Sequence, residues 1–160
     1  MAVPRLQLTA KLLRMTRVRY LHGLSKVPDD HLTWSPGNGA NSPLQLAGMA
    51  VIFLHAATQF AKNRTSPNRE EFPPFPTNRE EAVAALEAGF EALDAALEEV
   101  TDADLDTEVQ APWEGGGMIT LEFFLVTTMY VDGYIQGQLN YLQTAYGDKD
   151  PNIPPGWGSE

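Results

Sequence analysis

The chain has no cysteine. Disulfides, thiolate metal sites and cysteine nucleophiles are thereby excluded, and the composition suits a reducing cytoplasm. Histidine is scarce: His22, His31 and His55 are the whole supply. Bases are few, with 11 Lys and Arg against 21 Asp and Glu, for a net charge of −10. Nonspecific nucleic-acid binding needs a net basic surface, so no nucleic-acid partner is expected. Long apolar runs are missing as well. The longest, Leu44 to Ala57, is interrupted by Gln45 and His55. It falls short of the ~20 residues of a membrane span, and no membrane partner is expected. There is no Gly-x-Ser-x-Gly elbow to support serine hydrolase chemistry.

What is present fits one folded domain over residues 1–160. The 43% hydrophobic and 20% charged content is that of a globular chain with a single core. The charges are segregated. From Glu70 to Glu108 there are 13 acids and one base, Arg79. Before Asp29 there is no acid, but there are Arg5, Lys11, Arg14, Arg17, Arg19 and Lys26. A basic start also marks transit peptides, yet no apolar signal core or small-residue cleavage site follows, and the stretch reads as a basic first helix. It is expected to lie within electrostatic reach of an acidic third helix.

Four stretches carry helical spacing. Arg5 to Lys26 is the first, with Leu6, Leu13, Val18, Tyr20, Leu21 and Leu24 as its buried stripe, ended by Pro28. Asp30 to Ala40 is a loop anchored by Trp34. Ser42-Pro43-Leu44-Gln45 is a capping box with proline at the first helical position, and it opens a second helix to about Lys62. The inner face of that helix is read as Leu46, Met49, Phe53, Ala56 or Ala57, and Phe60. Residues 63–76 hold four prolines and cannot be helical; their length predicts a crossover running along a bundle, pinned by Phe72 and Phe75. Thr77-Asn78-Arg79-Glu80 reads as a second capping box, opening a third helix to about Val100.

Thr107–Gln110 and Met118–Thr120 can pair as a short ribbon around Pro112-Trp113-Glu114-Gly115-Gly116-Gly117. Thr120 to Tyr146 is the fourth helix, with Leu121, Phe124, Thr128, Val131, Ile135, Gln138, Leu142 and Ala145 recurring on one face. An extended tail follows from about 148 to 160. Four amphipathic helices, one long crossover between the second and third, and no strong strand signal predict an all-α fold, a four-helix bundle.

The order of these elements resembles the DinB/YfiT-like four-helix bundles. Leu32-Thr33-Trp34-Ser35-Pro36 followed by Ser42-Pro43-Leu44-Gln45-Leu46-Ala47-Gly48 is similar to that family. So is Tyr134-Ile135-Gln136-Gly137-Gln138-Leu139-Asn140-Tyr141-Leu142, set against a fourth-helix signature of His, three residues, His, one residue, Gly-Gln. The resemblance runs from about Leu6 to Asp148. It implies a family in which three histidines, one on the second helix and two on the fourth, hold a divalent nickel, zinc or iron. It also implies relatives that are thiol-dependent S-transferases or maleylpyruvate isomerase-like proteins.

Carried over residue by residue, the three ligand positions are Met49, Val131 and Ile135. Valine and isoleucine have no lone pairs, and a thioether is a poor donor for zinc or nickel. A one-residue shift does not repair this, because 130, 132, 134 and 136 are Tyr, Asp, Tyr and Gln. The expectation is a divergent member with no metal and no other cofactor, in which a thiol finds no Lewis acid. A candidate pocket of Met49, Phe53, Thr128, Val131, Ile135 and Gln138 is expected between the second and fourth helices. It would take a small apolar or amphipathic molecule; a filled pocket would leave an interaction module. Tyr130, Tyr134, Tyr141 and Tyr146 are rim-packing residues or a homodimer contact. The alternative reading is a rebuilt metal site that keeps S-transferase or isomerase-like activity.

Overall fold

The computed structural model describes residues 5–158 apart from 66, 112 and 114, and only the backbone at 69. The expected turn residues Pro112 and Glu114 therefore lie outside the described residues. Four helices are present, α1 (Arg5–Lys26), α2 (Pro43–Asn63), α3 (Arg79–Leu97) and α4 (Leu121–Ala145). The ribbon is present too: β1 (Glu108–Gln110) pairs antiparallel with β2 (Met118–Thr120), Val109 opposite Ile119.

Local chemistry sets the helix starts. At α2 the Ser42 hydroxyl accepts from the Gln45 N–H, and the Gln45 side chain accepts from the Ser42 N–H at 2.8 Å. Pro43 occupies the first turn, where its missing N–H is no loss. Ser42→Ala is expected to cost about 1 kcal/mol and lower Tm by roughly 2–4 °C. An unchanged thermal melt would show that the box contributes nothing. At α3 the cap is Asn78, one residue later than the sequence pattern suggests. Its side chain accepts from the Glu81 N–H at 2.9 Å, while the Glu81 carboxylate reaches back to the N–H and hydroxyl of Thr77. Asn78 has the extended backbone of a cap, and its amide oxygen lies under the exposed N–H groups. The helix also ends earlier than expected, at Leu97.

The helices form a ring in which α1 touches α3 and α4, and α2 touches the same two. Their directions follow from the end contacts. Arg79 at the start of α3 donates to the carbonyls of Leu24 and Val27 at the end of α1. The Leu44 N–H at the start of α2 donates to Leu32 just beyond α1. So α2 and α3 begin at one end, called here the upper end, and run parallel. The Arg5 guanidinium at the start of α1 donates to Glu122 at the start of α4, which makes α1 and α4 parallel as well. Two parallel neighbours cannot be joined by a tight turn. The crossover after α2 therefore runs the length of the bundle, as its prolines and length predict. Phe72 meets the His55 ring edge to face. Phe75 lies over Gly48, where a Cβ would come within 2.6 Å of the ring, so a larger residue there would displace the ring.

The charge segregation has the expected geometry. Arg14 pairs with Asp94 and Arg17 with Glu91, at 3.5 and 3.4 Å across the α1–α3 groove. Exposed pairs of this kind contribute less than about 1 kcal/mol each, so they help orient the helices more than they stabilise them. Beyond α4 the tail folds back along α1. Arg19 donates to the carbonyls of Pro151 and Asn152 and sits over the Trp157 ring, whose N–H donates to Met15 at 2.8 Å.

Three stripes differ in rotation from the sequence reading. On α1, Val18 faces outward, and Leu6 and Leu21 are half-buried. On α2, Met49 and Phe53 are half-buried, while Ala47, Ala50 and Leu54 are inside. This helix is long and apolar enough to cross a membrane by composition, but 67% of its apolar window is buried against its neighbours. On α4, Ala145 is exposed, Val131 and Gln138 are half-buried, and Leu125, Asp132, Gln136, Leu139 and Gln143 join the core. The cause is common to all three: each helix has two neighbours in the ring, so its buried arc is wider than one stripe and is centred between them.

Candidate functional site

At the upper end, the loop after Trp34 stands over the start of α2 and the last turns of α4. It encloses a cleft of about 570 Å³ lined by Pro36 to Asn41, Met49, Tyr134, Gln138 and Tyr141. The loop supports itself. The Ser35 hydroxyl donates to the Ala40 carbonyl at 2.7 Å and accepts from the Gly37 N–H. Gly37, Asn38 and Gly39 all have positive φ (88°, 54° and 78°), a run that two glycines and an asparagine tolerate and β-branched residues do not. The floor is apolar at Met49, whose sulfur accepts from the Asn41 amide at 3.5 Å. The α4 wall carries two phenol hydroxyls and the Gln138 amide.

Of the six residues expected to share a pocket, Met49 and Gln138 meet here. Thr128 and Ile135 are fully buried, and the Thr128 hydroxyl donates to the Phe124 carbonyl within its own helix. Phe53 and Val131 are half-buried and do not line this cleft. Gln138 does not point into the core beside Ile135 as the stripe suggested; Gln136 is the buried amide. Tyr134, Tyr141 and the loop were not in the expected set. A sequence signal for them existed in the paired turn glycines set just before a helix start. Tyr146 leaves the tyrosine row and packs its ring on His31 at 4.4 Å, next to Trp34.

A second polar cluster lies hidden between α1 and α4. Asp132 is buried, and neither carboxylate oxygen has a hydrogen-bond partner among the described residues. The same holds for the Tyr20 hydroxyl and the Gln136 carbonyl oxygen. Burial pushes the Asp132 carboxyl up to about 8. Burial, aided by the Asp132 charge, raises the Tyr20 hydroxyl well above the usual phenol range. The sequence gives one clue to this seam: Asp132 falls four residues after Thr128 and three before Ile135, both core positions.

The donor chemistry does not fit a metal held at the positions expected from the resemblance. Of the three positions that the resemblance assigns to ligands, Val131 and Ile135 have no lone pairs and Ile135 is sealed in apolar core, while Met49 offers only a thioether. Among the described residues no group of three or more His, Asp or Glu could share an ion. The histidines are dispersed: His31 pairs with Asp30 in the loop, and His55 packs against the crossover.

The bundle is similar to two solved structures. A DinB-like protein from Bacillus subtilis superposes with a TM-score of 0.74 at 16% identity, covering 89% of this chain and 94% of that one. A DinB-like protein from Bacillus cereus superposes at 0.66 and 19% identity, covering 84% and 87%. No curated protein sequence matches. The model of the DinB superfamily matches residues 12–130, from the middle of α1 to the residue before Val131. That match covers most of the chain and agrees with the up-down-down-up bundle and its long crossover, and on these grounds the chain belongs to the DinB superfamily.

Proposed function

We propose that this chain is a DinB-superfamily protein that works without a bound metal and holds a small amphipathic molecule in its upper cleft. The observation that carries the reading is the meeting of Met49, Tyr134, Gln138 and Tyr141 beneath a self-supported loop. The thioether and the phenol rings offer apolar contact. The Gln138 amide has no hydrogen-bond partner among the described residues and can read a ligand carbonyl, hydroxyl or carboxylate. Asn41 now donates to a sulfur, a weak acceptor, and would exchange it for a ligand oxygen at a gain. Thiol activation by a Lewis acid is not part of this reading, because the ligand positions carry no suitable donors.

Two measurements test it. Protein purified without a chelating column is expected to contain no tightly bound metal; one equivalent of nickel, zinc or iron per chain would overturn the reading in favour of a rebuilt site. In a thermal-shift screen of small amphipathic carbonyl and hydroxyl compounds, at least one is expected to raise the Tm of the wild type. The same compound should leave Gln138→Leu unshifted, and that variant on its own is expected to melt close to the wild-type temperature. Compounds that stabilise both proteins equally would place binding elsewhere.

A further inference from the structure

We propose that the outward face of α4 is the contact between two copies of this chain, paired antiparallel about a twofold axis near residue 135. The proposal does not rest on ligand binding in the cleft. At ~100° per residue, Phe123, Val126, Tyr130, Tyr134, Gly137 and Tyr141 fall on one side of the helix. The four aromatic residues are 53%, 75%, 59% and 65% exposed in chain order, on a helix whose other side is core.

This face carries no charge. The two acids of α4 are occupied elsewhere: Glu122 accepts from Arg5, and Asp132 is buried. The outward side of α1 is basic and that of α3 is acidic, on a chain of net charge −10. Two copies of an acidic protein repel one another least where a neutral surface meets itself. Gly133 and Gly137, one turn apart, have open space where a Cβ would stand, so a second helix can approach the backbone closely there.

The spacing is self-complementary. With the axis near residue 135, Gly133 lies opposite the partner's Gly137, and Tyr130 opposite the partner's Tyr141. Each pairing is returned by the other copy, as a closed twofold contact requires. The exposed apolar surface on this face is roughly 600 Å² per copy, or about 1,200 Å² for the pair, which reaches the range of specific interfaces. Tyr134 and Tyr141 also form the cleft wall, so the second copy would close the open side of the cleft.

Sedimentation equilibrium of the full chain is expected to show a dimer at micromolar concentration. Gly137→Glu puts a carboxylate against the partner's Gly133 and its symmetry mate close by, and should weaken association roughly a hundredfold. Glutamate is a better helix former than glycine, so the helix itself is retained, and an unchanged far-ultraviolet circular dichroism spectrum checks this. Leu8→Glu, on the exposed side of α1, should leave the dimer intact. The absence of native cysteine permits an independent check. Oxidation of a mixture of Tyr130→Cys and Tyr141→Cys proteins should give the mixed cross-link. A monomeric wild type, a dimer split by Leu8→Glu but not by Gly137→Glu, or Tyr130→Cys linking mainly to itself would each overturn the proposal.

Discussion

Asp132→Asn is expected to remove most of the dependence of stability on pH between 5 and 8. The folded carboxyl holds its proton up to about 8, whereas an unfolded aspartate releases it near 3.9. Below both values the group costs nothing. As pH rises between them, the folded state holds the extra proton, so rising pH favours unfolding by about 1.4 kcal/mol per unit. Above the folded value the loss is complete. The other shifted carboxyls act in the opposite sense and in another window. Hydrogen bonds hold Glu81, Asp104, Glu122 and Asp148 below their ordinary values. Their stabilisation is fully present above the ordinary carboxylate range and is lost as pH falls below it. The window from 5 to 8 therefore belongs to Asp132, whose ionisation would cost about 4 kcal/mol across it. Urea titrations at the two pH values should give a large loss for wild type and a small one for Asp132→Asn. Equal stability of the wild type at both pH values would refute the assignment. The amide also suits the seam, because it brings two donors to a place where unpartnered acceptors outnumber donors.

The other large effect lies at the lower end of the bundle. Phe60 on α2 and Phe124 on α4 are fully buried, with ring centroids 4.1 Å apart. Phe60→Ala is expected to cost about 3–5 kcal/mol, a large fraction of the stability of an ordinary domain. Part of the cost is lost transfer free energy. The rest is the cavity left beside Phe124, which parallel and antiparallel neighbours on both sides prevent from collapsing. A loss below about 1 kcal/mol in urea would mean that the ring is not packed as described. Together the two substitutions separate two parts of the molecule. One lies in the aromatic packing between α2 and α4, the other in the polar seam between α1 and α4.

What could be read from the chain beforehand divides along the same physical line. Ser42, Pro43 and Gln45 sit within four residues of one another, so their capping box needed no tertiary knowledge. The ribbon around the glycine-rich turn and the long crossover were legible for the same reason. So was the bundle itself, through the Gly137-Gln138 pair and the loop near Trp34. The rotation of α4 was not. Gln138 and Gln136 are two residues apart, and which of them turns inward depends on α1 lying beside α4, a fact set by contacts more than a hundred residues distant in sequence. The burial of Asp132 is hinted at only by its spacing from Thr128 and Ile135, because a search for apolar stripes passes over carboxylates. The cleft was half legible. Met49 and Gln138 were found by helical spacing, and Met49 by resemblance too, but Tyr134, Tyr141 and the loop come together only in the folded chain.

The strap of the tail along α1 bears on how the protein is born. Trp157 reaches Met15 across 142 residues of sequence. The cover of α1 is therefore completed only by the strap, after α3 and α4 have joined the ring. At ~5–20 residues per second, that interval is on the order of ten seconds. Until the strap is in place the part of α1 that it covers is open to solvent, and the six bases of this segment keep it charged.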